Sequence, residues 1–272
     1  MQALGNDYVY IDGFLEEVKD PSELSRKVSN RNTGVGSDGL ILILPSEKAT
    51  CRMQMFNPDG SEGEVCGNGL RCIAKFVYEA GYTKGQEEFE IDTAPGIRRQ
   101  WVKVRDGKVY EVTSEMGRPG LTRKVIPMKG EGSSLQVELP LAEETVQVNG
   151  VSLGNPHVVM FVDDVDSFPC EKYGPQMETH DWFPERANVE FVEVVSRDRI
   201  KMRIWERGTG MTLASGSGST ASAVASVETG LVNREVTVEM PLGELKIEYP
   251  ENGDLLMTGP AYKVFEGIWI DD

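Results

Sequence analysis

The sequence contains few of the residues from which metal centres and histidine-dependent active sites are built. Histidine occurs twice and cysteine four times among the 272 residues, and no two cysteines have Cys-x-x-Cys spacing. These six residues are His157, His180, Cys51, Cys66, Cys72 and Cys170. A structural zinc site needs four clustered ligands, and Ser-His-Asp or Cys-His groups need a histidine beside the nucleophile. The composition therefore argues against both kinds of site, and we expect no metal ion.

Basic residues and long apolar runs are also scarce. The chain has 28 Lys and Arg against 44 Asp and Glu, which gives a net charge of −16. Because phosphate backbones and anionic membranes attract clustered positive charge, we expect neither nucleic acid nor a membrane as a partner. No run approaches the roughly 18 apolar residues of a membrane span. The opening "MQALGNDYVYIDGF" lacks the features of a signal peptide. We therefore expect a cytoplasmic protein with reduced cysteines.

The length suits one large domain or two domains of roughly 130 residues. Hydrophobic spacing predicts helices over residues 21–30, 67–81 and 216–230, and the two longer ones stop at a glycine. Asp106-Gly107 predicts a hairpin turn. Short apolar or alternating runs predict strands over 8–14, 40–44, 51–56, 89–94, 101–112, 157–164, 188–195, 200–206, 235–240, 244–249 and 254–259.

The stretch "GVGSDG", residues 34–39, satisfies the G-x-G-x-x-G pattern of dinucleotide-binding folds. Such a fold needs a strand before the glycines and a helix after them. Here "NRNT" precedes the glycines and the strand candidate "LILIL" follows them. The order is wrong for a nucleotide site, so we interpret the stretch as a glycine turn that enters a strand.

An internal duplication is visible when the chain is shifted along itself so that Cys66 falls on Ser215. Residues 51–81 then align with residues 200–230 without a gap, and both segments have the pattern strand, polar turn, small-residue loop, helix. The same shift, which we call the repeat offset, places Gly5-Asn6 on Gly154-Asn155, each before a strand. A chance match of glycine-rich stretches is the alternative. Two separate matches at one offset favour duplication, and hence two similar domains.

Cys66 and Ser215 occupy equivalent positions, each directly before a predicted helix. A thiol at a helix N-terminus has a lowered pKa, because the helix dipole and free N–H groups favour the thiolate. The alternative for Cys66 is a buried structural cysteine, the interpretation we give to Cys51 and Cys72. If two such N-termini face each other across an interdomain cleft, a proton could leave one face of a carbon and return on the other.

The sequence resembles the diaminopimelate epimerase family from end to end. The resemblance rests on "LGNDYVYID", "GVGSDGLILI", "FNPDGSEGEVCGNGLRC", "GNPHVVMFV", "ANVEFV", "IWERGTGMTLASGSGS" and "LLMTGPAYKVFEG". It implies two pseudo-symmetric α/β domains, each a curled, mainly antiparallel sheet around a central helix, with the active site in the cleft. We place the first domain at residues 1–117 plus 263–272 and the second at 118–262.

The resemblance also implies a reaction and a site. The family interconverts L,L- and meso-diaminopimelate, a small-molecule substrate, in lysine and cell-wall precursor synthesis without a cofactor. Cys66 and the residue at position 215 are the catalytic positions. Arg207, Asn57 and Asn188 would bind the distal carboxylate, and Glu206 the distal ammonium. The other substrate-binding positions are Asn6, Asn155 and the loop residues Gly67, Asn68, Gly216 and Ser217.

Ser215 departs from the family, which has cysteine there, and a serine hydroxyl is a far weaker acid than a thiol. The chain is an engineered Cys→Ser form, a natural homologue with lost or altered activity, or an enzyme that works more slowly with serine or bound water. Two further alternatives are a related amino-acid racemase or dehydratase and a binding protein that holds diaminopimelate. An exposed sheet edge could support a homodimer.

Overall fold

The computed structural model describes residues 1–63 and 67–270, which form two compact units. Unit 1 comprises the chain up to Ser114 together with the segment from Gly259 onward, and unit 2 comprises Glu115–Thr258. The four helices are α1 (Pro21–Ser29), α2 (Gly67–Glu79), α3 (Cys170–Glu178) and α4 (Gly216–Glu228). The strands are β1 (Gln2–Ala3), β2 (Asn6–Asp7), β3 (Val9–Asp12), β4 (Leu40–Leu44), β5 (Cys51–Phe56), β6 (Glu62–Gly63), β7 (Glu88–Thr93), β8 (Gly96–Arg105), β9 (Lys108–Gly117), β10 (Val137–Pro140), β11 (Thr145–Ser152), β12 (Pro156–Phe161), β13 (Asn188–Ser196), β14 (Arg199–Glu206), β15 (Gly210–Thr212), β16 (Glu235–Met240), β17 (Gly243–Glu248) and β18 (Leu255–Gly259).

The main sheet of unit 1 has the order β3-β4-β5-β7-β8-β9. Two neighbouring pairs, β3 with β4 and β5 with β7, are parallel, and the other pairs are antiparallel. Helix α2 packs on this sheet through Ile73 and Val77, which join Ile41 and Ile91 in the buried core. The unit is therefore a mainly antiparallel sheet around one apolar helix face.

The sheet of unit 2 has the order β10-β11-β12-β13-β14-β16-β17-β18. Its parallel pairs are β12 with β13 and β14 with β16, in the same places as in unit 1. Helix α4 contacts six of these strands, and its residues from Gly216 to Ser226 are buried except Ser217. Small residues such as Ala221 and Ala225 let the sheet approach the helix from several sides. The prediction of a mainly antiparallel sheet around a central helix is confirmed for each unit.

The duplication predicted from the repeat offset is also confirmed. The offset carries the bounds of α2 onto those of α4 without a gap, and the bounds of α1 onto those of α3. The short strands β6 and β15 pair with the equivalent strands β5 and β14. Gly5 and Gly154, the glycines matched by the same offset, both have positive φ, at 84° and 98°.

Most predicted elements are present, and the structure adds others. The hairpin at Asp106-Gly107 is confirmed, since both residues have positive φ and Arg105 pairs with Lys108. The "GVGSDG" stretch is a turn that enters β4, as predicted, and no helix follows it. Helix α3 and strands β10 and β11 are absent from the predicted elements. Within residues 1–63 and 67–270, no helix has the length and apolar character needed to cross a membrane.

Candidate functional site

Ser215 is the N-cap of α4. Its backbone is extended (φ −143°, ψ 126°), and its Oγ accepts a hydrogen bond from the N–H of Gly218 at 3.0 Å. A capping oxygen that accepts from the third helical residue satisfies one of the N–H groups that a helix start leaves unpaired. The prediction that Ser215 lies directly before a helix is therefore confirmed. Only 6% of the residue is exposed.

The first turn of α4 is closely packed around this serine. A side chain at Gly218 would come within 2.8 Å of Ile204, 3.0 Å of the carboxylate of Glu190 and 3.1 Å of Cβ of Ser215. Gly216 is buried, whereas Ser217 is half-buried with its Oγ 3.5 Å from that of Ser215. The N–H groups at the start of a helix point outward and favour an anion. A carboxylate could therefore bind beside Ser215.

The equivalent loop in unit 1 precedes α2. Cys66, the predicted catalytic thiol, lies outside the described residues. Gly67 and Asn68 follow it as the first two residues of α2, and both are buried. The side chain of Arg71, which is 0% exposed, reaches back to this turn. Its Nη2 donates to Oδ1 of Asn68 at 2.6 Å and its Nη1 to the carbonyl of Gly67 at 3.5 Å.

Asn6 lies in β2 and contacts the same turn. Its Oδ1 accepts from Nδ2 of Asn68 at 3.4 Å, and its Nδ2 donates to Oδ2 of Asp38 at 2.8 Å. The same carboxylate oxygen accepts the backbone N–H of Asp7 at 3.1 Å. Two predicted substrate-binding residues, Asn6 and Asn68, are therefore joined to each other and to charged groups at both ends.

Asn57, a third predicted residue of unit 1, directly follows β5 and is half-buried. Its Nδ2 donates to Oγ of Ser61 at 3.0 Å, and its backbone N–H donates to the carbonyl of the same residue at 2.8 Å. In the turn after β5, the side-chain amide and the backbone N–H of Asn57 therefore both donate to one residue, Ser61.

In unit 2, Asn155 adjoins a buried pair of ionisable side chains. His157 Nδ1 lies 2.6 Å from Oε1 of Glu190, and both side chains are fully buried. His157 Nε2 lies 3.1 Å from Oδ1 of Asn155. Burial raises the pKa of Glu190. His157 opposes that rise through its charge and through its hydrogen bond to the carboxylate. Since an amide oxygen only accepts, this arrangement places a proton on Nε2 and directs the NH₂ group of Asn155 away from the ring.

Asn188 connects the chain beside the His157–Glu190 pair to residues 205–208, which have the sequence "WERG". It begins β13, its Nδ2 donates to the carbonyl of Pro156 at 3.3 Å, and its Oδ1 accepts the backbone N–H of Arg207 at 3.0 Å. The guanidinium of Arg207 is exposed and donates to the carbonyl of Glu185 at 3.1 Å. Glu206 ends β14 and is half-buried. The predicted residues Asn155, Asn188 and Arg207 are thus linked within unit 2.

Several side chains around the predicted residues are absent from the prediction. Asp38, Ser61, Arg71 and His157 contact predicted residues directly, and Glu190 contacts His157. The sequence places Asp38 only in a glycine turn and Arg71 only on a predicted helix. Their contacts mostly join residues that are far apart in the sequence, so no local pattern could reveal the network. The repeat offset could not reveal it either, because Ile41 and Thr220 stand where Glu190 and Arg71 would repeat.

The three cysteines in the described ranges fit structural roles. Cys51, Cys72 and Cys170 are buried and form no disulfide. Burial, with a smaller repulsion from Asp92, raises the pKa of Cys51 to about 12. Burial likewise raises the pKa of Cys170 to about 11. Among the residues that the structure describes, no three His, Cys, Asp or Glu side chains are grouped so as to hold a metal ion.

Comparison with known proteins identifies relatives that cover nearly the whole chain. The sequence profile of the family described as diaminopimelate epimerase matches residues 1–122 and 150–264. A protein of Acetivibrio thermocellus named diaminopimelate epimerase is 48% identical over 269 residues, covering 98% of this chain and 96% of the relative. One of Moorella thermoacetica with the same name is 48% identical over 276 residues, with the same two coverages.

Solved structures share the fold at much lower identity. A probable proline racemase from Agrobacterium radiobacter K84 has a TM-score of 0.69 at 14% identity, covering 99% of this chain and 92% of that one. A methylitaconate-delta-isomerase has a TM-score of 0.66 at 14% identity, covering 98% of this chain and 92% of that one. At this identity the likeness concerns the fold alone.

Proposed function

The chain belongs to the diaminopimelate epimerase family, and we propose that it interconverts L,L- and meso-diaminopimelate by proton transfer at the α-carbon. In this proposal the reaction needs no metal ion or pyridoxal phosphate, and it serves lysine and cell-wall precursor synthesis. The names of the relatives at 48% identity support the substrate. The alternatives of a related racemase or dehydratase receive less support, because these relatives carry the epimerase name.

The observation that carries the proposal is the equivalence of α2 and α4. Each begins directly after a residue proposed to move a proton, Cys66 or Ser215, and the repeat offset that relates these two residues also relates the bounds of the helices. Two helix starts give two places where N–H groups can stabilise the negative charge that develops on a carboxylate as its α-proton leaves.

The proposed roles follow the family. The thiolate of Cys66 takes the α-proton, the C–H electron pair remains on the substrate as a carbanion, and a proton returns from the group at position 215. Arg207, with Asn57 and Asn188, binds the distal carboxylate through charge-assisted hydrogen bonds. Glu206 binds the distal ammonium. The remaining substrate-binding residues are Asn6, Asn155, Gly67, Asn68, Gly216 and Ser217.

Ser215 decides how well this chain performs the second transfer. Its Oγ is already held by the N–H of Gly218, which stabilises negative charge on the oxygen. That bond is far too weak to give a hydroxyl the acidity of a thiol. The second candidate function is therefore a diaminopimelate-binding homologue that exchanges the α-proton without inverting the carbon.

Proton NMR in heavy water, started separately from the L,L and meso isomers, distinguishes the two candidates. We expect the serine form to epimerise only slowly and to exchange deuterium into one isomer faster than it inverts that isomer. Ser215→Cys should supply the second acid–base group and raise epimerisation by about 10²–10⁴-fold. Ser219→Cys is the matched control, because its Oγ is buried one turn further along α4, bonded to the carbonyl of Ser215.

Rapid epimerisation by the serine form, unchanged in Ser215→Cys, would show that another group carries the second proton. Absence of both exchange and binding in every form would exclude diaminopimelate as the substrate.

We also propose a cytoplasmic homodimer. Cys51, Cys72 and Cys170 are buried and form no disulfide, which is typical of proteins from reducing compartments. The segment after Lys263 exposes several large apolar side chains, among them Phe265 at 62% and Ile268 at 94%. Such a patch on a monomer is typical of an interaction surface, and a second copy of the chain is the proposed partner.

A further inference from the structure

Four side chains of unit 1 form one line of hydrogen bonds. Starting from Arg71, Nη2 donates to Oδ1 of Asn68, Nδ2 of Asn68 donates to Oδ1 of Asn6, and Nδ2 of Asn6 donates to Oδ2 of Asp38. The donor–acceptor distances are 2.6, 3.4 and 2.8 Å in that order. We call this line the Asp38–Arg71 relay.

The two ends of the relay determine its direction. A guanidinium has only donors, so the group of Asn68 that faces Arg71 must be the amide oxygen. An ionised carboxylate has only acceptors, so the group of Asn6 that faces Asp38 must be the amide nitrogen. Either end alone would fix the orientation of both amides, because an asparagine whose oxygen accepts on one side presents its nitrogen as a donor on the other. Both ends impose the same direction.

The ends are themselves firmly placed. Arg71 is completely buried, and its Nε donates to the carbonyl of Pro260 at 3.2 Å. Oδ2 of Asp38 also accepts the backbone N–H of Asp7, and its Oδ1 accepts from Arg31 at 2.9 Å. A line of aligned amide dipoles strengthens each of its bonds, because every bond polarises the next.

We propose that Asp38 and Arg71 are positioning residues, which fix the side-chain amides of Asn6 and Asn68 in one orientation for binding of the substrate. This inference rests on the proposed function, in which Asn6 and Asn68 bind diaminopimelate. An amide that is free to flip would offer oxygen where nitrogen is needed. Binding groups that are held in place lose less conformational entropy when the ligand arrives.

Substitutions at the half-buried end test the relay without disturbing the core. Asp38→Ala removes the acceptor, and we expect the dissociation constant for meso-diaminopimelate to rise by about 10-fold. Asp38→Asn should restore affinity, because its amide oxygen is drawn to the site where Asp7 and Asn6 both donate. Arg31→Gln is the matched control. It removes the ion pairs of Arg31 with Asp38 and Asp7 but leaves the acceptor that faces Asn6, so affinity should fall much less than in Asp38→Ala.

This pattern separates positioning from a structural role. Asp38→Asn and Arg31→Gln both lose the ion pair between Arg31 and Asp38, so a structural role for that pair would make them resemble Asp38→Ala in affinity. At the buried end, Arg71→Lys keeps a donor-only group and should bind more tightly than Arg71→Met. Equal affinity of Asp38→Ala and wild type by calorimetry would overturn the proposal.

A ligand-free measurement distinguishes this failure from failure of the proposed function. The side-chain NH₂ of Asn6 and the backbone N–H of Asp7 point at one oxygen, so NMR should show a nuclear Overhauser effect between them. If wild type shows that effect but binds no diaminopimelate, the orientation stands and the substrate role proposed here is wrong. If the effect is missing in wild type, the relay itself is wrong.

Discussion

At the scale of single residues, the predicted asparagines differ in what holds them. Asn57 is bonded to a neighbouring serine, Asn188 lies between a backbone carbonyl and a backbone N–H, and Asn155 faces a protonated ring nitrogen of His157. Resemblance to a family identifies such residues, because the motif contains them. The direction of each amide depends on partners that the fold brings together, so it follows only from the structure.

The cysteines allow a prediction at the same scale. Raised pKa values of about 12 for Cys51 and about 11 for Cys170 leave almost no thiolate near neutral pH. Cys72 is completely buried. Cys66 directly precedes α2, where thiolates are favoured, so we expect an alkylating agent to modify it first. Mass spectrometry of a time course, with and without diaminopimelate, measures this rate and its protection by the ligand.

Cys66→Ser provides the control for this labelling, since it should abolish the fast reaction and leave the slow ones unchanged. Equal alkylation rates at all four cysteines would instead indicate that Cys66 is a structural cysteine like the other three.

At the scale of elements, sequence patterns are sufficient to predict helices α1, α2 and α4. Helices α1 and α2 have an apolar face, α4 has a run of small residues, and the predicted stretches of α2 and α4 stop at a glycine. Helix α3 escapes prediction because Gly174 and Pro175 lie inside it, and proline inside a helix normally breaks it. The repeat offset contains the missing information, because it carries α1 onto α3. A repeat can therefore predict an element that local propensity disfavours.

Strand β11 escapes prediction for a different reason. Its Asn149-Gly150 pair has the composition of a turn, yet the strand continues through it. Oδ1 of Asn149 accepts the backbone N–H of Gln136 at 2.9 Å, and a side chain at Gly150 would lie 2.9 Å from Ile126. The glycine is needed for close packing rather than for turning, and only tertiary contacts reveal the difference.

Gly34 allows a stability prediction at this scale. A Cβ there would lie 2.2 Å from the carbonyl oxygen of Lys27 and 2.8 Å from that of Val28, at the C-terminal end of α1. Because both atoms belong to the backbone, Gly34→Ala should lower the free energy of unfolding by about 3 kcal/mol. Urea unfolding measures the change.

Gly107→Ala is the matched control in the same unit, since its Cβ would meet nothing within 4 Å and only its φ of +73° is strained. We expect a loss of about 1 kcal/mol there. Equal losses at the two glycines would mean that the chain around α1 relaxes without cost.

At the scale of the whole molecule, the proposed homodimer can be tested through the exposed apolar segment. Phe265→Glu places a charge within that segment, where burial against a second copy would become costly. We expect the dimer to dissociate to monomers in sedimentation velocity. Leu242→Glu is the control, because Leu242 is also exposed, at 47%, but lies in the turn between β16 and β17. A monomeric wild type, or equal behaviour of both variants, would exclude this interface.

The division of unit 1 into two segments sets the order in which a growing chain can be completed on the ribosome. All residues of unit 2 lie between Glu115 and Thr258, so they are synthesised before the second segment of unit 1. Arg71 donates to the carbonyl of Pro260, which belongs to that second segment. Until translation reaches Pro260, the buried end of the relay lacks one of its anchors. Unit 1 is therefore begun first and completed last. If a ribosome stalled after unit 2, unit 1 would lack its second segment.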